Sequence, residues 1–357
     1  MRLQTITLIA FVGIAGLASA VDNAEVQGTP VKQTRNLTEF DPILGWRRIP
    51  DFHGTHVQGE YQVEQRYNSR SMRGPLIPYE KATGTYRILI LGDSFADGYS
   101  VAYDDLFSET LKRRWKETIK KPLEVVNAAV GGYGTDQQLL YFLIEGKRYK
   151  PDLTILLFYQ NDVPFNTRAL YTPLGRGNKP LFGLHDGKLY LDSLPEPSKS
   201  IQHVERKDFY KEELVKRTLE MFAKPKTITD ESAKRRFDAW KMTEALMKKV
   251  KESCENNGSH FLLFFVPVKG DVYGGGGRIQ QRPCGTSSNL KQLALRQEID
   301  IIDTLPLCRI RAEEILKEKK RLYWVRDSHW TPEGHHLAGE IIAQYLIERT
   351  EHYRIPE

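Results

Sequence analysis

Five residues in this chain carry the parts that acyl transfer needs: Ser94, Gly132, Asn161, Asp327 and His329. Ser94 follows the apolar run Tyr86–Leu91 through Gly92 and Asp93, so it stands where a buried strand ends and the chain turns. A hydroxyl there can attack a carbonyl carbon if a base reaches it. His329 is the candidate base, taking the serine proton and returning it to the leaving group. Asp327, two residues earlier, could hold the other imidazole nitrogen and fix its tautomer. The attacked oxygen becomes negative and needs waiting donors. The Ser94 and Gly132 backbone N–H groups and the Asn161 amide are the candidates: glycine permits close backbone approach, and asparagine offers two N–H donors without a charge. Each residue also has a plainer reading. Ser94 could only cap a helix, Asp327 could belong to the cap region of the last helix, His329 could be a satisfied structural histidine, and Gly132 and Asn161 could only serve turns.

The elements around these residues decide between the readings. Apolar runs predict strands at Tyr86–Leu91, Leu123–Asn127, Leu153–Phe158, Phe261–Val266 and Asp300–Asp303. Helical spacing predicts helices at Leu106–Lys120, Thr135–Gly146, Asp230–Glu255 and Pro332–Arg349, with Thr135 as N-cap and Gln138 completing a capping box. Strand–helix alternation predicts a parallel sheet covered on both faces, a three-layer α/β domain. In such a sheet the loops holding Ser94, Gly132, Asn161 and Asp327–His329 share one edge, where open α/β sheets place ligands. His335 and His336 fall inside the closing helix and suit packing or surface roles.

The organisation reads as a leader at 1–20, a loop-rich extension at 21–85 and a domain at 86–357, with a Pro-, Gly- and charge-rich insertion at about 164–229. The extension has local anchors at Leu44-Gly45-Trp46 and Tyr67-Asn68-Ser69 and should wrap the domain without a core of its own. Asp186-Gly187 in the insertion is a hairpin-turn signal. Gly274–Gly277 lacks the Lys-Ser/Thr of a phosphate-binding loop, which argues against nucleotide binding.

Arg2, the apolar run Ile6–Ala15 and Ala18-Ser19-Ala20 have the form of an export signal cleaved near Ala20, with an uncleaved anchor as the alternative. A secreted or periplasmic protein is expected, without stable membrane insertion after cleavage. Charged residues make up 27% with a net charge of +6, yet no dense basic block stands out, so nucleic acid is not an expected partner. Export permits disulfides. Of the three cysteines, Cys284 and Cys308 could pair, while Cys254 falls near the end of a predicted helix. No spacing suggests a metal site or a cofactor.

Taken together, Ser94 in Gly-Asp-Ser, Gly132 after Asn-Ala-Ala-Val-Gly, Asn161 in Asn-Asp, and Asp327 with His329 resemble the four blocks of the SGNH or GDSL hydrolase superfamily over roughly residues 86–350. Residues 36–85 are similar to the amino-terminal extension of an exported bacterial subgroup. The resemblance implies a flavodoxin-like α/β/α sandwich and a serine esterase without cofactor. The first block departs from many members at Ala96 and Asp97, and the second holds Gly131 as a rival donor to Gly132. The third reads Tyr-Gln-Asn-Asp, and the last is Asp-x-His, where many members have Asp-x-x-His. Asp-x-His-Trp is similar to proteins that acetylate exported polysaccharides. Ser94 lacks the Gly-x-Ser-x-Gly setting of an α/β-hydrolase elbow. The expected function is a secreted esterase acting on acyl esters, with O-acetyl carbohydrate favoured. The alternatives are a polysaccharide O-acetyltransferase on the same triad and a non-catalytic glycan-binding module.

Overall fold

Every side chain of the strand Tyr86–Gly92 is buried, because this strand lies inside a sheet covered on both faces. The computed structural model describes residues 32–34, 37–171, 177–196, 209–225, 228, 238–274 and 283–356. The leader at 1–20, the start of the helix expected from Asp230, parts of the insertion and most of the Gly274–Gly277 run lie outside the described residues.

In chain order the strands are β1 (Lys32–Thr34), β2 (Thr38–Asp41), β3 (Gly45–Arg48), β4 (His53–Gln58), β5 (Tyr61–Arg66), β6 (Tyr86–Gly92), β7 (Leu123–Asn127), β8 (Leu153–Tyr159), β9 (Leu170–Tyr171), β10 (Gly177–Asn178), β11 (Leu181–His185), β12 (Lys188–Ser193), β13 (His260–Val266) and β14 (Asp300–Asp303). The central sheet runs β14-β13-β8-β6-β7, with all neighbours parallel. Its strands are rich in Leu, Ile, Val and Phe, as two-sided burial requires. Each such side chain fully buried contributes roughly 1.5–3 kcal/mol.

Helices cover the sheet in pairs. Phe107–Thr118 packs on the closing helix Pro332–Ile347, and Thr135–Ile144 packs on Ala239–Glu255. The result is a three-layer α/β/α sandwich. The first pair approaches closely at Gly339, where a Cβ would stand 2.4 Å from the Phe107 carbonyl oxygen.

Three local expectations need correction. Gly134, not Thr135, precedes the helix Thr135–Ile144; its N–H donates to Gln137 Oε1 at 3.1 Å, and the Thr135 hydroxyl goes to Asp162 instead. Cys254, Cys284 and Cys308 are all free and buried. Cys284 caps the helix Gly285–Arg296 and donates to Asp271 at 3.0 Å, while Cys308 lies in the helix Leu305–Leu316. The extension is also more regular than its composition suggests. It contains the sheet β1-β4-β5 and the hairpin β2-β3; Leu37, Phe52 and Tyr67 form a small cluster, while Ile43, Leu44, Trp46 and Met72 join the main core. Its residues from Lys32 onward form one unit with the rest of the described chain.

The expected turn at Asp186-Gly187 is present. It joins β11 to β12, and both residues have positive φ, 48° and 73°, the geometry that keeps a tight hairpin in step with strand twist. No helix among the described residues is long and apolar enough to cross a membrane.

Candidate active site

Strand β6 delivers Ser94 to the carboxyl edge of the central sheet. Asp93 caps the short helix Ser94–Asp97, its carboxylate accepting from the Phe95 N–H at 3.0 Å. The helix starts at once after the strand, so the serine is held at a sharp strand-to-helix corner.

The Ser94 hydroxyl lies 2.7 Å from His329 Nε2. On the far side of the ring, His329 Nδ1 lies 2.5 Å from Asp327 Oδ1, which also accepts the His329 backbone N–H at 2.9 Å. A proton between Nδ1 and the carboxylate leaves Nε2 free to accept from the serine. Thr331, not Asp327, caps the closing helix, its hydroxyl accepting from Gly334. Asp327 is therefore free to serve the ring. Burial acts to raise the Asp327 carboxyl, but the His329 ring, the His329 N–H and the Tyr61 hydroxyl outweigh it, and the group lies far below the usual carboxylate range.

The ring is fixed from two further sides. Phe95 packs against it at a centroid distance of 5.0 Å, and the Tyr99 hydroxyl lies 3.3 Å from each ring nitrogen.

The two candidate donor loops converge on the same corner. After β7, the Val130 N–H donates to the Gly92 carbonyl at 3.3 Å, and the Asn127 amide donates to the Ala96 carbonyl at 2.7 Å. Gly132 follows with φ of 85°, a conformation that favours glycine. The neighbouring Gly131 carbonyl accepts from the Trp46 indole at 3.1 Å. After β8, the Asn161 amide donates one N–H to Asp93 Oδ2 at 3.0 Å. With its nitrogen turned to Asp93, the amide has a second N–H to offer an oxyanion.

Two buried carboxyl groups lie beneath this corner. Burial raises the Asp93 carboxyl against the opposing contacts with Phe95 and Asn161. Burial pushes Asp162 well above its ordinary range, and the nearby Asp93 acts in the same direction. Asp162 accepts from the Thr135 hydroxyl at 3.1 Å.

The other histidines are placed as their helix position implied. His335 is buried against Trp330 and Phe107, and His336 is partly exposed beside Asp105 at 3.4 Å. Among the described residues no group of side chains could hold a metal ion.

Sequence reasoning missed the residues that the amino-terminal strands bring to the site. Tyr61 donates to Asp327 Oδ2 at 3.0 Å, and Glu60 accepts the Asp327 N–H at 2.7 Å. Tyr61 and Val63 alternating with Gln62 and Glu64 are the sequence signal for a strand there.

A family model described as GDSL-like lipase/acylhydrolase matches residues 90–337. Comparison with curated proteins finds no match. Among solved structures, TesA is 10% identical, with a TM-score of 0.41 and coverage of 75% of this chain and 99% of that one. A mutant of an acetyl-xylooligosaccharide esterase from Geobacillus Stearmophilus is 12% identical, with a TM-score of 0.41 and coverage of 72% and 93%. A two-domain esterase active on acetylated mannans is 14% identical, with a TM-score of 0.41 and coverage of 76% and 51%.

Proposed function

Because the chain belongs to the GDSL-like lipase/acylhydrolase family and is a serine ester hydrolase, we propose that Ser94, His329 and Asp327 are its catalytic triad. The observation that carries this reading is the continuous row from Ser94 Oγ through His329 to Asp327, with links of 2.7 and 2.5 Å.

Ser94 attacks the ester carbonyl while His329 Nε2 takes its proton. Asp327 stabilises the imidazolium that forms. The oxyanion meets the Ser94 and Gly132 N–H groups and the second N–H of Asn161. Collapse breaks the bond to the alcohol, which leaves with the proton from His329. Water then attacks the acyl-serine while His329 takes one of its protons; the acyl–Oγ bond breaks, His329 returns that proton to Ser94 Oγ, and the acid is released.

The substrate proposed is an O-acetyl ester on a carbohydrate, met outside the cytoplasm after export by the leader at 1–20. Two features support it: the leader's form and the polar insertion.

An organophosphonate probe tests the nucleophile: labelling at Ser94 is expected, and labelling elsewhere refutes the assignment. Incubation with acetylated oligosaccharides should release free acetate. Transfer of acetyl to an added acceptor glycan would mark a transferase, and no turnover on a broad ester panel would favour a binding module. Recovery of the mature chain from the exported fraction, beginning at Val21, is the expected outcome for the leader.

A further inference from the structure

The tip of the β4–β5 hairpin holds the segment that carries Asp327 and His329. Glu60, at that tip, accepts three consecutive backbone N–H groups: Val325 at 2.9 Å, Arg326 at 2.5 Å and Asp327 at 2.7 Å. Three N–H groups converging on one carboxylate fix the path of a short, otherwise exposed loop. They also outweigh the effect of partial burial and hold the Glu60 carboxyl below its ordinary range.

Tyr61, the next residue, acts on the side chain. Asp327 uses Oδ1 for His329, and Tyr61 donates to Oδ2 at 3.0 Å. With one oxygen bound, a carboxylate can still rotate about its Cβ–Cγ bond. With both bound, its plane is set, and Oδ1 stays in line with Nδ1. The Tyr61 ring is itself fixed against Trp324 at 5.4 Å and His56 at 6.0 Å. Four residues along the same strand, Gln65 donates to the Tyr99 carbonyl at 2.8 Å, and Tyr99 carries the hydroxyl that lies over the His329 ring. One strand therefore steadies both the carboxylate and the tyrosine beside the imidazole.

We propose that Tyr61 and Glu60 are positioning residues for catalysis, so that the amino-terminal hairpin is a working part of the active site. The proposal rests on the triad reading above. Removing the Tyr61 hydroxyl leaves the ring packing in place but frees the carboxylate to rotate. A hydrogen bond to a charged group is worth enough to set the expected loss of kcat at about 10- to 100-fold. KM stays unchanged, because the hydroxyl is engaged by Asp327 Oδ2.

The test is a double-mutant cycle on a small soluble ester, with Tyr61→Phe and Asp327→Ala alone and together. Tyr61→Phe should lower kcat at constant KM in the native background and have no further effect once Asp327 is gone. Equal losses in both backgrounds, a change in KM alone, or no loss would overturn the positioning role. If Asp327→Ala alone keeps full activity, it is the triad reading that fails. If Tyr61→Phe folds poorly, Glu60→Ala, at the partly exposed hairpin tip, carries the test: kcat should fall at constant KM in the native background, and an unchanged kcat would overturn its role; melting curves establish that each variant is folded.

Discussion

Arg48, at the end of β3, forms a buried ion pair with Asp97, three residues after Ser94. The amino-terminal strands thus reach the nucleophile's helix as well as the acid–base loop. Arg73 adds to this contact by donating to the carbonyls of Gly98 at 2.5 Å and Val101 at 3.0 Å.

Asp97→Ala leaves the Arg48 guanidinium buried without its counter-charge. Such a change costs about 3–5 kcal/mol, whereas replacing both partners with apolar residues costs far less. Urea unfolding of Asp97→Ala should show that loss, and Arg48→Met with Asp97→Leu should recover most of it. A midpoint for Asp97→Ala close to that of the native protein would show that the pair contributes little.

Asn161→Ala should lower kcat by roughly 10²–10³-fold through loss of one oxyanion donor. It also removes a donor from the buried Asp93 carboxylate, so stability should fall by about 1–3 kcal/mol. Ser94→Ala should cost more activity than Asn161→Ala, since nucleophile and base act as a unit. Near-normal turnover in folded Asn161→Ala would remove this residue from the hole.

The Asp327 carboxyl lies far below the ordinary range, so it keeps its charge through the pH range of an assay. That charge stabilises the imidazolium formed when His329 takes the Ser94 proton. Asp327→Asn should therefore lower turnover, and His329→Ala should lower it at least as much. His336→Ala should leave turnover unchanged. Turnover lost in His336→Ala and kept in His329→Ala would show that His336 is the base.

Burial, and then the charges of Arg73, His336 and His329, hold His335 well below the ordinary histidine range. Its folded value is the lower one, so the unfolded chain binds this proton more readily. Stability is then full above about pH 6.5 and falls as the pH drops, by up to about 1.4 kcal/mol per pH unit from this one group. His335→Phe should make the fall in unfolding free energy between pH 7 and pH 5 shallower by up to one proton's worth. An unchanged slope would mean that His335 does not titrate between the two states.

Local chemistry in the sequence determined most of the central domain. The apolar run before Ser94, the Asp186-Gly187 turn and the order of the strands are read from neighbours a few residues apart, and parallel pairing then follows from strand–helix alternation. The convergence of Ser94 and His329 followed from that topology, although they lie 235 residues apart. Only the tertiary structure decided what the amino-terminal segment does. Tyr61 and Asp327 are 266 residues apart, and no periodicity or turn signal near either one names the other. The use of the Thr135 hydroxyl on Asp162 and the separation of Cys284 from Cys308 belong to the same class. In each case a side chain's partner was selected by packing between distant segments, where a shift of one residue or one helical turn changes the contact.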